Sequence, residues 1–525
     1  MKGSRRSFLK AAAGVAAGIA LGGSPAHAAA RRKPNLLFLW TDEQRADTID
    51  VYGNGKIQSP NMARLARESV VFQNAYVSQP VCTPSRSTVM TGLWPHESGC
   101  IQNNIPLPER TPTFPELVGD PNYRTGYFGK WHLGDEVFAQ HGFEEWRSIE
   151  DLYRRHFREG RDKNALSDYS KWLAGLGYKP DGDAGAFSRA FASKLPIEHG
   201  KPKFLELQTC DFLRRRRDEP FMLYVNFLEP HMPFYGPLND LHKPEEVDLP
   251  INFNDPIEDN EPRQCRDRVK KYVTGRYSND LDLTKEYDWR RLIARYWGLV
   301  SQVDRSVGAI LSTLEELGLA EDTIVVYTSD HGDMMGSHRL VEKSLMYQEA
   351  MRVPLMVRAP RFGLDSRVLE GHFSHIDLVP TLLDLMDSGP KEGLPGKSLL
   401  PTMRGEKPAP QPVFIEWNSA SREPGAKSSS DPSARAVITP DGWKLCLYDT
   451  GEAQLFNLAA DPGETTNVFG RPENGDVFAR LSGLIREWQV GDRLELPPFK
   501  GMHPLRLKDV VPNGPIGPLI FKGER

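Results

Sequence analysis

The sequence predicts an α/β protein built on a large central mixed β-sheet that is flanked by helices. Apolar segments at residues 35–41, 221–227 and 323–328 are continuous rather than alternating, which is typical of strands buried on both faces. Helical patterns lie between them, including a long amphipathic stretch over residues 287–317. Strands that alternate with helices indicate a sheet with both faces covered.

A smaller α+β domain is predicted at the carboxyl end, over residues 406–525. The sequence there contains Pro-rich and Ser-rich stretches among short alternating segments at 413–416, 436–438 and 443–448. We expect these segments to form an antiparallel sheet. A catalytic domain over residues 31–405 precedes it, and 525 residues are enough for two such units.

Residues 1–30 are typical of a twin-arginine signal peptide. Residues 4–10 carry an adjacent pair of arginines, an apolar stretch follows over 11–23, and residues 26–28 suit cleavage. The alternative is a membrane anchor, but the apolar stretch is shorter than the ~20 residues that a spanning helix needs. We therefore expect no stable membrane span, the twin-arginine translocase as a partner, and a periplasmic or secreted protein.

Charge and cysteine content bear on the possible partners of the protein and on its disulfides. A net charge of −4 gives no reason to expect nucleic acid as a partner. The five cysteines include no CxxC pair, and an odd number leaves at least one thiol unpaired. One or two disulfides among four of them stay open from the sequence.

Acidic residues and histidines follow three of the predicted strands directly. These residues are Asp42, Glu43, His231, Asp330 and His331. Ligands of open α/β sheets bind beyond the carboxyl ends of the strands, so we expect these side chains to meet at one site. Each acid alone is typical of an ordinary loop, whereas two strand-end clusters together favour a metal site. Oxygen-rich ligand sets suit calcium or magnesium.

Residues 82–86 (Cys-Thr-Pro-Ser-Arg) predict a cysteine at the start of a helix. Pro84 suits a first helical turn, which puts Cys82 at the helix N-terminus, where free N–H groups and the helix dipole favour an anion. Arg86 follows one turn later, and its guanidinium matches sulfate or phosphate oxygens. A lone cysteine in this position is more often an inert apolar residue.

The remaining motifs favour a reactive cysteine at position 82 over an inert one. With residues 91–92 (Thr-Gly), the cysteine motif resembles the signature of the type I sulfatases of the alkaline phosphatase superfamily. Further motifs of that family follow in its order: Asp42 and Glu43, residues 129–132 (Gly-Lys-Trp-His), 229–233 (Glu-Pro-His-Met-Pro) and 329–332 (Ser-Asp-His-Gly), Lys343, and residues 455–467. The resemblance covers nearly all of the mature chain and implies an alkaline phosphatase-like fold.

The resemblance implies a formylglycine mechanism at Cys82. A formylglycine-generating enzyme would oxidise the cysteine, and one hydroxyl of the aldehyde hydrate would attack sulfur. The second hydroxyl would then lose its proton, so that the aldehyde re-forms and sulfate leaves. The catalytic residues implied are Cys82, Arg86, Lys130, His132, His231 and Lys343. Of these, the lysines would bind sulfate oxygens, His231 would protonate the leaving alcohol and His132 would assist the hydrate.

The implied metal ligands include two departures from the family pattern. The ligands are Asp42, Glu43, Cys82, Asp330 and His331. The family often has Asp in place of Glu43, and many members have Asn in place of His331. We expect Ca²⁺, with Mg²⁺ or Mn²⁺ as alternatives, because a histidine also suits manganese.

The sequence therefore predicts a sulfatase acting on a sulfated small molecule or saccharide, with Asn103 or Asn104 lining its pocket. A phosphonate monoester hydrolase or phosphodiesterase of the same fold is the alternative, since those relatives also carry Asp-His where Asp330 and His331 stand. The lysines favour the sulfatase. An inactive sulfatase-like binding protein is disfavoured, because every catalytic position holds a competent residue.

Overall fold

The computed structural model describes residues 33–255, 260–273, 276–278, 280–407, 410–418, 432–448 and 450–490. The predicted signal peptide and the last part of the predicted second domain, residues 491–525, lie outside the described residues.

The strands are β1 (Asn35–Asp42), β2 (Val70–Tyr76), β3 (Arg124–Gly129), β4 (Glu145–Ser148), β5 (Phe221–Pro230), β6 (Arg276–Ser278), β7 (Leu281–Asp282), β8 (Thr323–Ser329), β9 (Arg352–Val353), β10 (Leu355–Arg358), β11 (Arg367–Ser374), β12 (Val413–Trp417), β13 (Ala434–Ile438), β14 (Trp443–Tyr448) and β15 (Ala453–Asn457). The α-helices are α1 (Pro60–Arg67), α2 (Cys82–Thr91), α3 (Pro95–Ser98), α4 (Phe114–Val118), α5 (Asp168–Gly175), α6 (Arg189–Ala192), α7 (Lys201–Arg216), α8 (Arg263–Val273), α9 (Glu286–Glu316), α10 (Gln348–Met351), α11 (Leu378–Leu385), α12 (Leu400–Met403) and α13 (Gly475–Val490).

The central sheet is mixed, as the sequence predicts. Among the described residues it has nine strands in the order β11–β2–β10–β8–β1–β5–β3–β4, with β9 also paired to β2. Strands β8, β1, β5, β3 and β4 run parallel to one another, whereas β10 is antiparallel to both β8 and β2. The continuous apolar runs of the sequence are the central strands β1, β5 and β8.

Helices cover both faces of the sheet, which explains why residues 36–40 of β1 are all apolar. Leu37 and Leu39 point into a core that contains α7 and α9. Phe38 and Trp40 point into the opposite core, which contains α11 and part of α2. All four side chains are inaccessible to solvent, and each such burial contributes about 1.5–3 kcal/mol.

The second sheet is antiparallel and lies in the carboxyl-terminal part, as predicted. Its order is β12–β13–β14–β15, and apolar residues of α13 pack on one face of it. The sequence does not predict strand β15; its residues 455–457 belong to the motif at residues 455–467. Glu416 on β12 accepts a hydrogen bond from the N–H of His96 at 3.0 Å and so joins this sheet to the larger domain. The division at residues 405 and 406 stays a prediction.

The strand register brings the polar strand ends together. Thr41 pairs with Ser329, and after a shift in register Asp42 pairs with Pro230. The residues that follow these positions, among them His231, therefore meet at one edge of the sheet. This convergence places the predicted site beyond the carboxyl ends of β1, β5 and β8.

Two further features concern the disulfides and a membrane-spanning helix. All five cysteines are buried free thiols, so neither of the disulfides left open by the sequence is present. Across the described ranges, no helix combines the length and the apolar character needed to cross a membrane.

Candidate active site

Helix α2 presents Cys82 at its first position, as the sequence predicts. The preceding residue, Val81, is extended, and the helix ends at Gly92, whose left-handed backbone lets its N–H donate to Thr88 O at 2.8 Å. Every residue of the helix is buried. The N-terminus of α2 is thus held in place, with the N–H of Thr83 donating to Oδ1 of Asn103 at 3.0 Å, and its positive dipole end lies at the site.

Cys82 lies among charged groups. Its Sγ is 3.2 Å from Nε2 of His331, 3.7 Å from Nζ of Lys130 and 3.8 Å from Oδ1 of Asp42. Burial and Asp42 raise the pKa of the thiol, but Lys130 and Lys343 outweigh them and the pKa lies below its usual value. The position therefore favours a negatively charged group, which is what an anionic nucleophile or substrate requires.

Arg86 binds the acidic residues rather than an open anion pocket. It donates from Nε to Asp330 Oδ2 and from Nη2 to Asp42 Oδ2, both at 2.8 Å. Its Nη1 donates to the carbonyl of Lys130 at 2.6 Å and to Oδ1 of Asn226 at 3.0 Å. The sequence suggested contact with sulfate oxygens; in the structure the guanidinium orients two carboxylates from different strands.

The carboxylates and His331 form a cluster that fits a divalent cation. One ligand atom from each of Asp42, Cys82, Asp330 and His331 lies within 4.8 Å of the others, and all four residues are buried. Nearby, Oε1 of Glu43 is buried without a hydrogen-bond partner among the described residues. Carboxylate oxygens, a sulfur atom and an imidazole nitrogen gathered this closely suit Ca²⁺, Mg²⁺ or Mn²⁺.

Burial and neighbouring charges shift the pKa values of the residues in the cluster. Burial opposes ionisation of Asp42, yet Lys130 and other cations hold its pKa well below the usual range. Burial likewise disfavours the charged His331, but Asp330 and Cys82 raise its pKa to about 9. Burial raises the pKa of Glu43 well above its usual value even though Lys343 lies beside it.

Lys343 and His231 converge on Glu43. Nζ of Lys343 donates to Oε2 of Glu43 at 2.6 Å and lies 3.0 Å from Nε2 of His231. The other ring nitrogen of His231, Nδ1, lies 2.9 Å from the carbonyl of Met232. The Nε2 edge of His231 consequently faces the site.

Lys130 and His132 follow β3 at the opposite side of the cluster. Gly129 precedes them with φ of 123°, and a Cβ there would approach the carbonyl oxygen of Asn226 to 1.9 Å, so only glycine fits. Lys130 forms a buried ion pair with Asp42. Nε2 of His132 lies 3.0 Å from Oδ1 of Asn104, one of the two asparagines that the sequence predicts at the pocket; its place in a pocket stays a prediction.

Sequence reasoning missed a network that joins the two histidines. Tyr153 stacks on His132 with ring centroids 3.9 Å apart. Arg189 donates to the hydroxyl of Tyr153 at 2.9 Å and to Glu150 at 2.7 Å, and its Nη1 lies 3.3 Å from Nδ1 of His231. These residues lie in irregular, charged segments that follow no predicted strand directly, so no strand-end pattern indicated them.

Two further buried polar residues at the site also went unrecognised. Asn226 interrupts the apolar run of β5 and receives the hydrogen bond from Arg86. Asp333 follows Asp330 by three residues, and its Oδ1 accepts from the N–H of Met335 at 2.6 Å. A polar residue within an apolar strand and a second acid in the 330–333 segment were the available signals.

The structure brings every predicted site residue to this one edge of the sheet. The group comprises Asp42, Glu43, Cys82, Arg86, Lys130, His132, His231, Asp330, His331 and Lys343. Their individual roles stay predictions. Together, a helix-terminal cysteine, an acidic cluster and several buried cations suit the hydrolysis of an anionic ester.

Comparison with known proteins narrows this class. Residues 34–388 match the family described as sulfatase, and residues 336–490 match the family described as N-sulphoglucosamine sulphohydrolase, C-terminal. The chain belongs to the sulfatase family. It is a type I sulfatase of the alkaline phosphatase superfamily, and thus a sulfuric ester hydrolase.

Curated relatives match along most of their length. The uncharacterized sulfatase YidJ of Escherichia coli (strain K12) is 28% identical over 479 residues, which cover 87% of each chain. The N-acetylglucosamine-6-O-sulfatase of Bacteroides thetaiotaomicron is 26% identical over 493 residues, or 87% of this chain and 86% of the relative.

Solved structures share the fold. A protein in complex with its substrate D-glucosamine-2-N,6-O-disulfate is 24% identical, with a TM-score of 0.70 over 87% of this chain and 98% of that one. The phosphonate monoester hydrolase of Silicibacter pomeroyi is 24% identical, with a TM-score of 0.72 over 87% and 95% of the two chains. At this identity the likeness concerns the fold alone.

Proposed function

We propose that the protein hydrolyses the sulfate ester of a carbohydrate or another organic alcohol, with residue 82 as the nucleophile position. The observation that carries the proposal is the position of Cys82 Sγ, 3.2 Å from His331 Nε2 and 3.7 Å from Lys130 Nζ. A nucleophile there is adjacent to both the acidic cluster and a cation for sulfate oxygens. The sulfated saccharide bound by a structural neighbour is in keeping with this substrate class.

Two groups complete the proposed site. Formylglycine made from Cys82 supplies, as its hydrate, a hydroxyl nucleophile and a second hydroxyl whose deprotonation releases sulfate. A divalent cation, with Ca²⁺ preferred over Mg²⁺ or Mn²⁺, supplies positive charge for the nucleophile and the sulfate oxygens. Asp42, Glu43, Asp330 and His331 would hold it, together with residue 82.

The lysines provide the fixed charge that the reaction needs. Burial opposes charging of Lys130 and Lys343, but Asp42 and Glu43 respectively raise the pKa of each, so both stay protonated. Sulfate oxygens gain negative charge in the transition state, and preorganised cations in a buried site stabilise that charge without reorganisation. Arg86 acts indirectly, because it orients Asp42 and Asp330.

The histidines transfer protons at opposite sides of residue 82. The Nε2 edge of His231 faces Lys343 and the site, which suits donation of a proton to the leaving alcohol oxygen. His132 lies on the Lys130 side, where we assign it to the hydroxyls of the nucleophile. Tyr153 and Arg189 fix the orientation of both rings.

A phosphonate monoester hydrolase or phosphodiesterase is the second candidate. A fold neighbour carries that activity in its name, and His331 keeps this option open. We favour the sulfatase because the chain belongs to that family and because Lys130 and Lys343 converge on the acidic cluster. Parallel measurement of kcat/KM on an aryl sulfate and an aryl phosphodiester tests the choice. A higher value for the sulfate is expected, and a large preference for the phosphodiester would overturn it.

We also propose export by the twin-arginine translocase to the periplasm or beyond, after a formylglycine-generating enzyme has acted on Cys82. The support is the sequence pattern of residues 1–30. Replacing the arginine pair at positions 5 and 6 by lysines should leave the protein in the cytoplasmic fraction. Unchanged export of that variant would contradict the proposal.

A further inference from the structure

A cleft of about 470 Å³ adjoins the small cavity that His231 lines, because Pro233 and Tyr235 line both. Met232 and Pro233 line one side and directly follow His231, whereas Glu342 lines the other and directly precedes Lys343. The volume falls within the ~300–1,000 Å³ typical of small-molecule sites. Because His231 is the proposed acid for the leaving alcohol, the cleft begins where the alcohol part of the substrate must lie.

Aromatic rings form the walls of the cleft. Phe234 and Tyr277 stack with their centroids 6.3 Å apart and an interplanar angle of 19°. Tyr235 leaves 42% of its surface exposed, and its ring lies 5.5 Å from the guanidinium of Arg295. Such rings offer a flat apolar surface with a polar edge, which suits the C–H face of a sugar ring.

Polar groups stand at the edges of these rings. Arg295 forms an ion pair with Asp280, which also accepts from the hydroxyl of Ser278 at 2.9 Å. The hydroxyl of Tyr277 is buried without a partner among the described residues. Burial raises the pKa of this hydroxyl, and Glu342 adds to the effect, so it stays neutral and able to donate. Sugar hydroxyls both donate and accept, and these groups supply both kinds of partner.

We propose that this cleft binds a hexopyranose ring, the alcohol part of the substrate, stacked on Tyr235 and hydrogen-bonded to Tyr277 and to the Arg295–Asp280 pair. The inference rests on the proposed function, since a sulfate ester cleaved at residue 82 directs its alcohol toward His231. Two of these residues belong to the segment around β6 and β7, so specificity for the sugar resides in an insertion rather than in the catalytic motifs.

Kinetics on hexopyranose monosulfates, choline sulfate and an aryl sulfate test the proposal. Tyr235→Ala should raise KM for a hexopyranose monosulfate about tenfold, equivalent to about 1.4 kcal/mol, with little change in kcat. The inhibition constant of inorganic sulfate should not change, because sulfate does not reach the cleft. Tyr277→Phe should raise KM less. The control is Tyr287→Ala, an exposed tyrosine outside the cleft, which should behave like the wild type.

The outcomes separate the two proposals. If the wild type cleaves choline sulfate or the aryl sulfate but no hexopyranose monosulfate, or if Tyr235→Ala leaves KM for the sugar ester unchanged, the sugar cleft is refuted and the sulfatase stands. If the wild type cleaves no sulfate ester, the proposed function fails first. A parallel loss of kcat and of sulfate inhibition in Tyr235→Ala would indicate damage to the whole site and would equally overturn a specific role in sugar binding.

Discussion

The guanidinium of Arg86 donates from Nη2 to Oδ2 of Asp42 at 2.8 Å, and both side chains are completely buried. The same guanidinium holds Asp330, so one side chain from α2 fixes carboxylates at the ends of β1 and β8. The cysteine motif thus contributes Arg86 to the acidic cluster as well as Cys82 to the proposed nucleophile position.

Arg86→Lys should therefore damage both stability and catalysis. Lysine keeps the charge but cannot reach two carboxylates in the fixed geometry of a guanidinium. Leaving a buried carboxylate without its partner costs about 3 kcal/mol in the free energy of unfolding, measurable by urea denaturation. Arg64→Lys, at an exposed pair with Glu315, is the control and should change stability by less than about 1 kcal/mol. Equal effects of the two substitutions would contradict the role given to Arg86.

Loss of Arg189 should shift the pH profile of the enzyme. Burial and Lys343 hold the pKa of His231 well below its usual value, and Arg189 contributes to the same effect. Without Arg189 the pKa of His231 rises, so the alkaline limb of kcat/KM should move to higher pH. Arg189→Ala should show this shift, Arg189→Lys a smaller one, and the exposed control Arg217→Ala none. An unmoved limb in Arg189→Ala would refute the coupling.

Ionisation of Glu150 should make the free energy of unfolding depend on pH in the acid range. Burial opposes its ionisation, but Arg189 and Lys201 hold its pKa at about 2, below the value of about 4.3 in an unfolded chain. A lowered pKa contributes stability above the unfolded value, and that contribution is lost as the pH falls from about 4.3 to about 2. Glu150→Gln should cost about 3 kcal/mol at pH 7, and its difference from the wild type should narrow over that acid range.

The control for this comparison is Glu315→Gln, at the exposed pair with Arg64. Its unfolding free energy should stay within about 1 kcal/mol of the wild type at every pH. If the difference between wild type and Glu150→Gln stayed constant from pH 7 to pH 2, the stabilisation would not come from the ionised carboxylate.

Removal of the proposed cation should lower thermal stability. Adding Ca²⁺ to chelator-treated protein should raise Tm, because a ligand at a hundredfold excess over its Kd stabilises the folded state by about 2.7 kcal/mol. His331→Ala should weaken this response, whereas Asp304→Asn, which removes a buried carboxylate bound to α1, should retain it. Mg²⁺ and Mn²⁺ serve as alternative ions. The absence of a response to all three would contradict the assignment of the cluster.

Much of the site could be predicted because its residues lie where strands end. Asp42 and Asp330 follow continuous apolar runs, and the parallel pairing of β1 with β8 brings such positions together in any protein of this architecture. Pro84 indicated that Cys82 begins a helix, and the resemblance of residues 82–86 and 91–92 to the family signature favoured a reactive cysteine there. These are local signals, so no knowledge of distant contacts was needed.

The residues that sequence reasoning missed depend on contacts between distant segments. Tyr153 and Arg189 lie in irregular, charged segments without periodicity, and only the packing of those segments brings them to His132 and His231. The direction of the Arg86 side chain was equally hidden, because helix position shows which side it can reach but not which acceptor it binds. Side-chain partners across the sheet are a property of the fold and not of any one motif.

The state of residue 82 in active enzyme tests the central claim most directly. Mass spectrometry of the peptide that contains Cys82, combined with specific activity, measures it. The account predicts that residue 82 has lost one sulfur and two hydrogen atoms and gained one oxygen, and that activity rises in proportion to the converted fraction. Fully active protein whose peptide carries only the unmodified thiol would contradict the formylglycine mechanism.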